Sequence, residues 1–153
     1  MSNSQFTYVT YIRTTPEKLW AALTGPEFTR QFWFESWQEC TWKSGAPWKL
    51  MTPDGRIVDS GEVLEIEPGR KLVLSWRNEL DPEMRAEGHS RMTYELEKLS
   101  DLVKLTIIHE IEKPNSKFIS AVSGGWPLIL SSLKSFIETG KPLEETRRWP
   151  KES

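Results

Sequence analysis

Between residues 36 and 112 the chain holds six strand-like segments, 36–42, 47–52, 56–66, 71–79, 89–98 and 102–112, most of them joined by very short links. The links Lys43-Ser44-Gly45, Pro53-Asp54-Gly55, Glu67-Pro68-Gly69 and Ser100-Asp101 are made of residues that tolerate tight or left-handed backbone. Such links cannot accommodate a crossover, so neighbouring strands must run antiparallel. One face of each late strand is apolar: Leu72, Leu74 and Trp76; then Met92, Tyr94 and Leu96; then Val103, Leu105, Ile107, His109 and Ile111. Gly61 interrupts the alternation of 56–66 and is expected to form a bulge that curves the sheet.

The flanks complete the architecture. Segment 5–13, with Phe6, Tyr8, Val9, Tyr11 and Ile12, predicts a first strand. Thr15, Pro16 and Glu17 then supply a cap, a first-turn proline and an acidic first turn, starting a short helix that turns Leu19, Trp20 and Leu23 inward. Gly25-Pro26 breaks it, and Phe28, Phe32 and Trp33 space a second short helix over 27–34. After Pro114 the period becomes helical, and 123–139 aligns Trp126, Ile129, Leu130, Leu133, Phe136 and Ile137 in one stripe, with Pro127 expected in the first turn and Gly140 as the stop. The expected fold class is therefore α+β. A seven-stranded curved antiparallel sheet grips a long C-terminal helix in a helix-grip fold, with two short helices after the first strand. At 153 residues there is room for one core, assigned to residues 1–142 with a polar tail over 143–153 expected to be loosely ordered.

Composition excludes several function classes. Twenty basic and twenty-two acidic residues leave a net charge of −2, with no basic run to follow a phosphate backbone, so nucleic acid is not an expected partner. No apolar stretch approaches the roughly 20 residues a membrane span needs, and the polar start Met-Ser-Asn-Ser-Gln does not resemble a secretion signal. Cys40 is the sole cysteine, which rules out an intrachain disulfide and suits a reducing cytoplasm. With only His89 and His109 beside it, no metal-ligand spacing appears, and neither a metal nor a cofactor is expected. Segment 80–88, charged and containing Pro82, reads as a mobile loop and a lid candidate at the cavity mouth.

The order of elements and two motifs carry a family resemblance. The run from Tyr11 to Trp20, followed by Leu23-Thr24-Gly25-Pro26-Glu27, resembles the opening of the START-like, or SRPBCC, superfamily, in its branch homologous to the activator of heat-shock protein 90 ATPase. Ser123-Gly124-Gly125-Trp126-Pro127 with Leu130, Leu133-Lys134 and Glu138-Thr139-Gly140 is similar to that branch's terminal helix, and Gly61-Glu62-Val63-Leu64-Glu65 to one of its strands. The resemblance implies a cavity between sheet and helix that accepts apolar molecules, and it makes a chaperone a possible partner. The namesake activator carries a further N-terminal domain for chaperone contact, whereas this sequence opens directly on the helix-grip domain.

Eight tryptophans exceed what a minimal core of this size needs; most are expected to be ordinary packing, and such rings can also fill space, line a pocket or form a contact surface. A dry void of about 300 Å³ costs about 7 kcal/mol, comparable with a domain's whole stability, so the space must hold side chains, water or a ligand. The leading expectation is noncatalytic binding of a small hydrophobic or amphiphilic molecule by Trp48, Trp76, Met92, Tyr94, His109, Trp126, Leu130 and Leu133. His109 on its apolar strand face is expected to be a satisfied core residue, with a ligand anchor or a general base partnered by Tyr94 as the functional alternatives. An enzyme of cyclase or hydrolase type would use that pair; no triad, paired carboxylates or phosphate loop supports it independently. Asp59, Glu62, Glu95, Glu97 and Glu110 are expected to face solvent, as are Arg77 and Glu79. Monomer and homodimer are both compatible, with Phe28, Trp33, Phe34 and Trp149 as the aromatics available for self-association.

Overall fold

The computed structural model describes residues 3–149. Strand β1 (Ser4–Ile12) is followed by helices α1 (Pro16–Thr24) and α2 (Pro26–Phe32). Then come β2 (Trp37–Glu39), β3 (Pro47–Met51), β4 (Ile57–Glu67), β5 (Lys71–Asn78), helix α3 (Pro82–Ala86), β6 (Ser90–Leu99), β7 (Leu102–Ile111) and helix α4 (Lys117–Thr139). The seven strands form one antiparallel order, β1-β7-β6-β5-β4-β3-β2. The first strand and the second therefore lie at opposite edges, and α1 and α2 carry the chain between them.

Local chemistry explains the helix ends. Thr15 Oγ1 accepts a hydrogen bond from the Lys18 N–H with Pro16 in the first turn of α1, and Gly140 at φ +84° closes α4, its N–H donating to the Phe136 carbonyl. Helix α4 begins six residues earlier than the apolar stripe predicts, so Pro127 lies well inside it. The cause is tertiary. Phe118 and Ile119 are buried, Ser116 caps the Ile119 N–H, and the Glu87 carboxylate accepts from both Ser116 Oγ (2.5 Å) and the Lys117 N–H (2.8 Å). Each such buried apolar side chain contributes about 1.5–3 kcal/mol, enough to offset a proline and two glycines in the interior.

Segment 80–88 is not featureless. Asp81 caps α3 through the Glu83 and Met84 N–H groups, and Met84 rests against the core. A five-residue helix is too short to show apolar periodicity, so only its Asp-Pro start was readable. The expected looseness of the tail is also corrected as far as Trp149: a 3₁₀ turn over Glu144–Thr146 buries Thr146, whose hydroxyl donates to Ser132 Oγ at 2.6 Å while its carbonyl accepts from the Phe34 N–H. Residues 150–153 of the expected tail lie outside the described residues.

The bulge expected at Gly61 is not there: register is continuous from Ser60 opposite Arg77 to Val63 opposite Leu74, and Gly61 pairs with Trp48. Register shifts between Val63 and Glu65, leaving Leu64 as the extra residue, and a second shift lies between Leu50 and Met51. Gly61 has a different role: a Cβ there would sit 1.8 Å from the Ser75 carbonyl oxygen, so β4 and β5 approach more closely than any side chain permits. Gly61→Ala is expected to lower unfolding free energy by at least about 3 kcal/mol in urea denaturation, whereas Gly125→Ala, which meets no neighbouring atoms inside α4, should be neutral or stabilising by about 0.5–1 kcal/mol.

Candidate functional site

The inner face of the sheet and the facing side of α4 share one aromatic interior. Trp48 of β3 and Trp76 of β5 meet at 4.3 Å between ring centroids, Trp126 of α4 lies 5.6 Å from Trp76, and Trp33 lies 5.4 Å from Trp126. Tyr94 meets Trp126 edge-on at 6.0 Å, and His109 meets Trp76 and Phe118 at 5.4 and 5.1 Å. Across the strands Met92 pairs with both Leu74 and His109, while Leu130 and Leu133 face inward from α4. The eight residues expected to line the site are thus brought together, and all are buried. Side chains, principally indole rings, occupy the space between them. Open clefts of about 470 and 460 Å³ lie on the other side of the sheet, where Ser75 and His89 line both.

His109 is held at both ring nitrogens. Its Nδ1 accepts from the Trp126 indole N–H at 3.1 Å; an indole can only donate, so Nδ1 carries no proton. The ring proton therefore sits on Nε2 and donates to Ser90 Oγ at 2.8 Å, and Ser90 in turn donates to the Trp76 carbonyl at 2.8 Å. Burial pushes the imidazole pKa down to about 3, so the ring is neutral. No hydrogen bond joins His109 to Tyr94. The satisfied-core reading of His109 describes this geometry, with one addition: the histidine ties the long helix to the sheet.

Other polar groups in the interior differ in their satisfaction. Trp48 Nε1 donates to Gln38 Oε1 at 3.0 Å, and Gln38 Nε2 donates to the Leu23 carbonyl at 2.6 Å, so a buried amide links β2, β3 and α1. Tyr94 Oη and Trp76 Nε1 are buried without any hydrogen-bond partner. Burial alone drives the Tyr94 pKa strongly upward, keeping the phenol protonated.

Asp59 corrects the sequence reading. It is 6% exposed, lies on the inner face, and pairs across the sheet with Leu50 and Asn78. Its Oδ1 accepts from Asn78 Nδ2 at 3.2 Å, and the Trp76 indole N–H leans toward the carboxyl without reaching hydrogen-bond geometry. Burial raises the carboxyl pKa to about 7; Trp76 and Asn78 oppose that rise and the nearby Glu79 charge adds to it. Asp59 shares the inward parity of Val63, two pleats along β4, and that parity was its only sequence signal. Arg77 keeps its expected outer position, whereas Glu79 is largely covered because Arg77, Arg85 and Ser60 converge on it. Among the described residues no group of three His, Cys, Asp or Glu side chains converges to hold a metal ion.

The aromatics considered for self-association are likewise drawn into this interior. Trp33 is buried, Phe28 and Phe34 are half-buried against the core, and Trp149 packs there with its backbone N–H donating to Glu35. Short helices present residues on too few turns for sequence to distinguish their faces.

Residues 13–138 match the family model described as "Activator of Hsp90 ATPase homolog 1-like protein". The chain belongs to that family. No curated protein matched in the sequence comparison. Solved structures similar to this family member include protein MLL2253 from Mesorhizobium loti, with TM-score 0.75 and 22% identity over 88% of this chain and 97% of that one. CalU16 from Micromonospora echinospora gives 0.72 and 23% over 93% and 78%, and the Aha1 dimer from Colwellia psychrerythraea gives 0.71 and 18% over 90% and 98%. At these identities the likeness is one of fold; the family match carries the START-like, SRPBCC membership. Among the described residues no helix is long and apolar enough to cross a membrane.

Two opposed titrations set the pH behaviour of this interior. Asp59 has a folded pKa above its unfolded value near 3.8, so stability falls as pH rises from about 4 to 7, by an amount on the order of 4 kcal/mol. His109 has a folded pKa below its unfolded value near 6.5, so its contribution is present above pH 6.5 and is lost as pH falls toward 3. The two offset each other between about pH 4 and 6.5. Asp59→Asn is expected to gain about 2–4 kcal/mol in urea denaturation at pH 8 and almost nothing at pH 4. His109→Ala, which strands the Trp126 N–H and leaves a cavity, should lose about 3–5 kcal/mol at pH 8.

Proposed function

We propose that this protein is a noncatalytic binding module that takes a small hydrophobic or amphiphilic molecule into the aromatic interior between sheet and α4. The observation that carries this reading is the pair of buried, unpartnered donors, Tyr94 Oη and Trp76 Nε1, whose rings both meet Trp126. An unmade buried hydrogen bond costs about 1–3 kcal/mol, so a ligand bearing an acceptor there recovers that cost on binding. Entry beside α3 is inexpensive. No residue of that helix is fully buried, and besides the Glu87 contacts with α4, the Asn78 contacts and Met84 the segment is held by surface ion pairs, Lys117 with Asp81 and Glu83 and Arg85 with Glu79, each worth about 0–1 kcal/mol. The expected lid over 80–88 is retained in this reading as a short helix that opens. The lone thiol of Cys40 suits a cytoplasmic setting.

Family membership favours a second reading, a module that stimulates the ATPase of an Hsp90-type chaperone, and the dimeric Colwellia relative makes a homodimer its natural assembly to test. Stimulated chaperone ATPase at micromolar protein would support it, and an unchanged rate would exclude it.

For the binding reading, saturable quenching of tryptophan fluorescence by small apolar compounds bearing an acceptor is the expected result. Tyr94→Phe should weaken the best such compound about 5–30-fold while leaving the ligand-free melting temperature unchanged or higher, because the hydroxyl is unsatisfied in the free protein. A variant that melts earlier yet binds normally would remove Tyr94 from the site.

A further inference from the structure

A buried carboxyl ordinarily has a basic partner, because an isolated charge in the interior costs several kcal/mol. Asp59 has none among the described residues. The nearby cations are committed elsewhere: both Arg77 and Arg85 pair with Glu79, and Arg77 emerges on the outer face. What Asp59 has instead is an amide donor from Asn78 and the Trp76 ring, which meets Trp48 at a tilt of 45°. A carboxylate beside indole rings is complementary to positively charged nitrogen, which gains a charge-assisted hydrogen bond from one and cation–π attraction from the other.

We propose that Asp59 with the Trp48–Trp76 ring pair seats a protonated nitrogen, so that the ligand of the aromatic interior is a compact amine that also carries an acceptor for the unpartnered donors. This rests on the interior-binding reading and names its ligand class. Asn78 connects the seat to the entrance. While its Nδ2 donates to Asp59, its Oδ1 accepts from the Leu80 and Asp81 N–H groups, the residues that lead into α3. An incoming amine competes with Asn78 for Asp59 at the point where the α3 segment is anchored. Glu79, one residue further along, adds negative potential at the same end of the sheet.

The test compares three probes of one skeleton with a common ether acceptor, 2-phenoxyethylamine, 2-phenoxyethanol and phenoxyacetate, titrated into the full chain by tryptophan fluorescence and calorimetry at pH 8, where the Asp59 carboxyl is largely ionised. The amine is expected to bind at least about 10-fold more tightly than the alcohol, with phenoxyacetate weakest. Asp59→Asn should reduce the amine-to-alcohol ratio to about 1 while leaving alcohol affinity unchanged, a readout that a merely structural role for Asp59 would not move. Alcohol or acid binding as tightly as amine, or an amine preference that survives Asp59→Asn, overturns the assignment and leaves interior binding standing. If none of the three binds at millimolar concentration, both the assignment and the interior-binding reading fall for compact aromatic ligands.

Discussion

The hydrogen-bond chain from Trp126 through His109 and Ser90 to the Trp76 carbonyl joins the long helix to the middle of the sheet, and the rest of the interior is arranged around it. Apolar packing alone would let α4 slide or rotate over the strands at modest cost, because Leu and Ile side chains accept many neighbours. A donor-only indole meeting a single-acceptor imidazole does not. It fixes the tautomer of His109, the depth of Trp126 and the facing of α4, and it works only while the imidazole is neutral.

That constraint determines which groups are left over. With Trp126, His109 and Ser90 mutually satisfied and Trp48 satisfied by Gln38, the buried side-chain donors left without a partner among the described residues are Thr14 Oγ1, Tyr94 Oη and Trp76 Nε1, and the carboxyl of Asp59 has Asn78 but no cation. The Tyr94 and Trp76 rings both meet Trp126. A protein that had only to be stable would replace them with apolar groups, since an unpaired buried group is more costly than none. Their persistence in an otherwise well-satisfied core is the physical argument for a ligand.

Family membership and structural likeness describe a scaffold, and a scaffold hosts many functions. The chemistry inside this chain is a cluster in which Trp76 meets Trp33, Trp48 and Trp126, a histidine bonded at both ring nitrogens and an inner carboxyl without a cation among the described residues. These belong to particular side chains and would be invisible in a comparison of backbones. On the α3 side the interior is bordered by a helix with no fully buried residue, attached through surface charges, Asn78, Met84 and the Glu87 carboxylate.

The strand periodicity, the turn residues and the capping chemistry of Thr15 and Gly140 were enough to establish the seven-stranded sheet, the order of elements and the inward set that includes all eight expected site residues. Those features are local, written in spacings of two and of three to four residues, and a single sequence carries them. Tertiary structure alone decided the start of α4, the capping by Glu87, the docking of the tail through Thr146, the burial of Trp33 and the facing of Asp59. Each of these depends on a partner many residues away, or on a pleat parity that a bulge at Leu64 and another near Met51 can reset. A charge on an amphipathic strand reads as solvent-facing until the register of both neighbours is known, and register is a property of the assembled sheet.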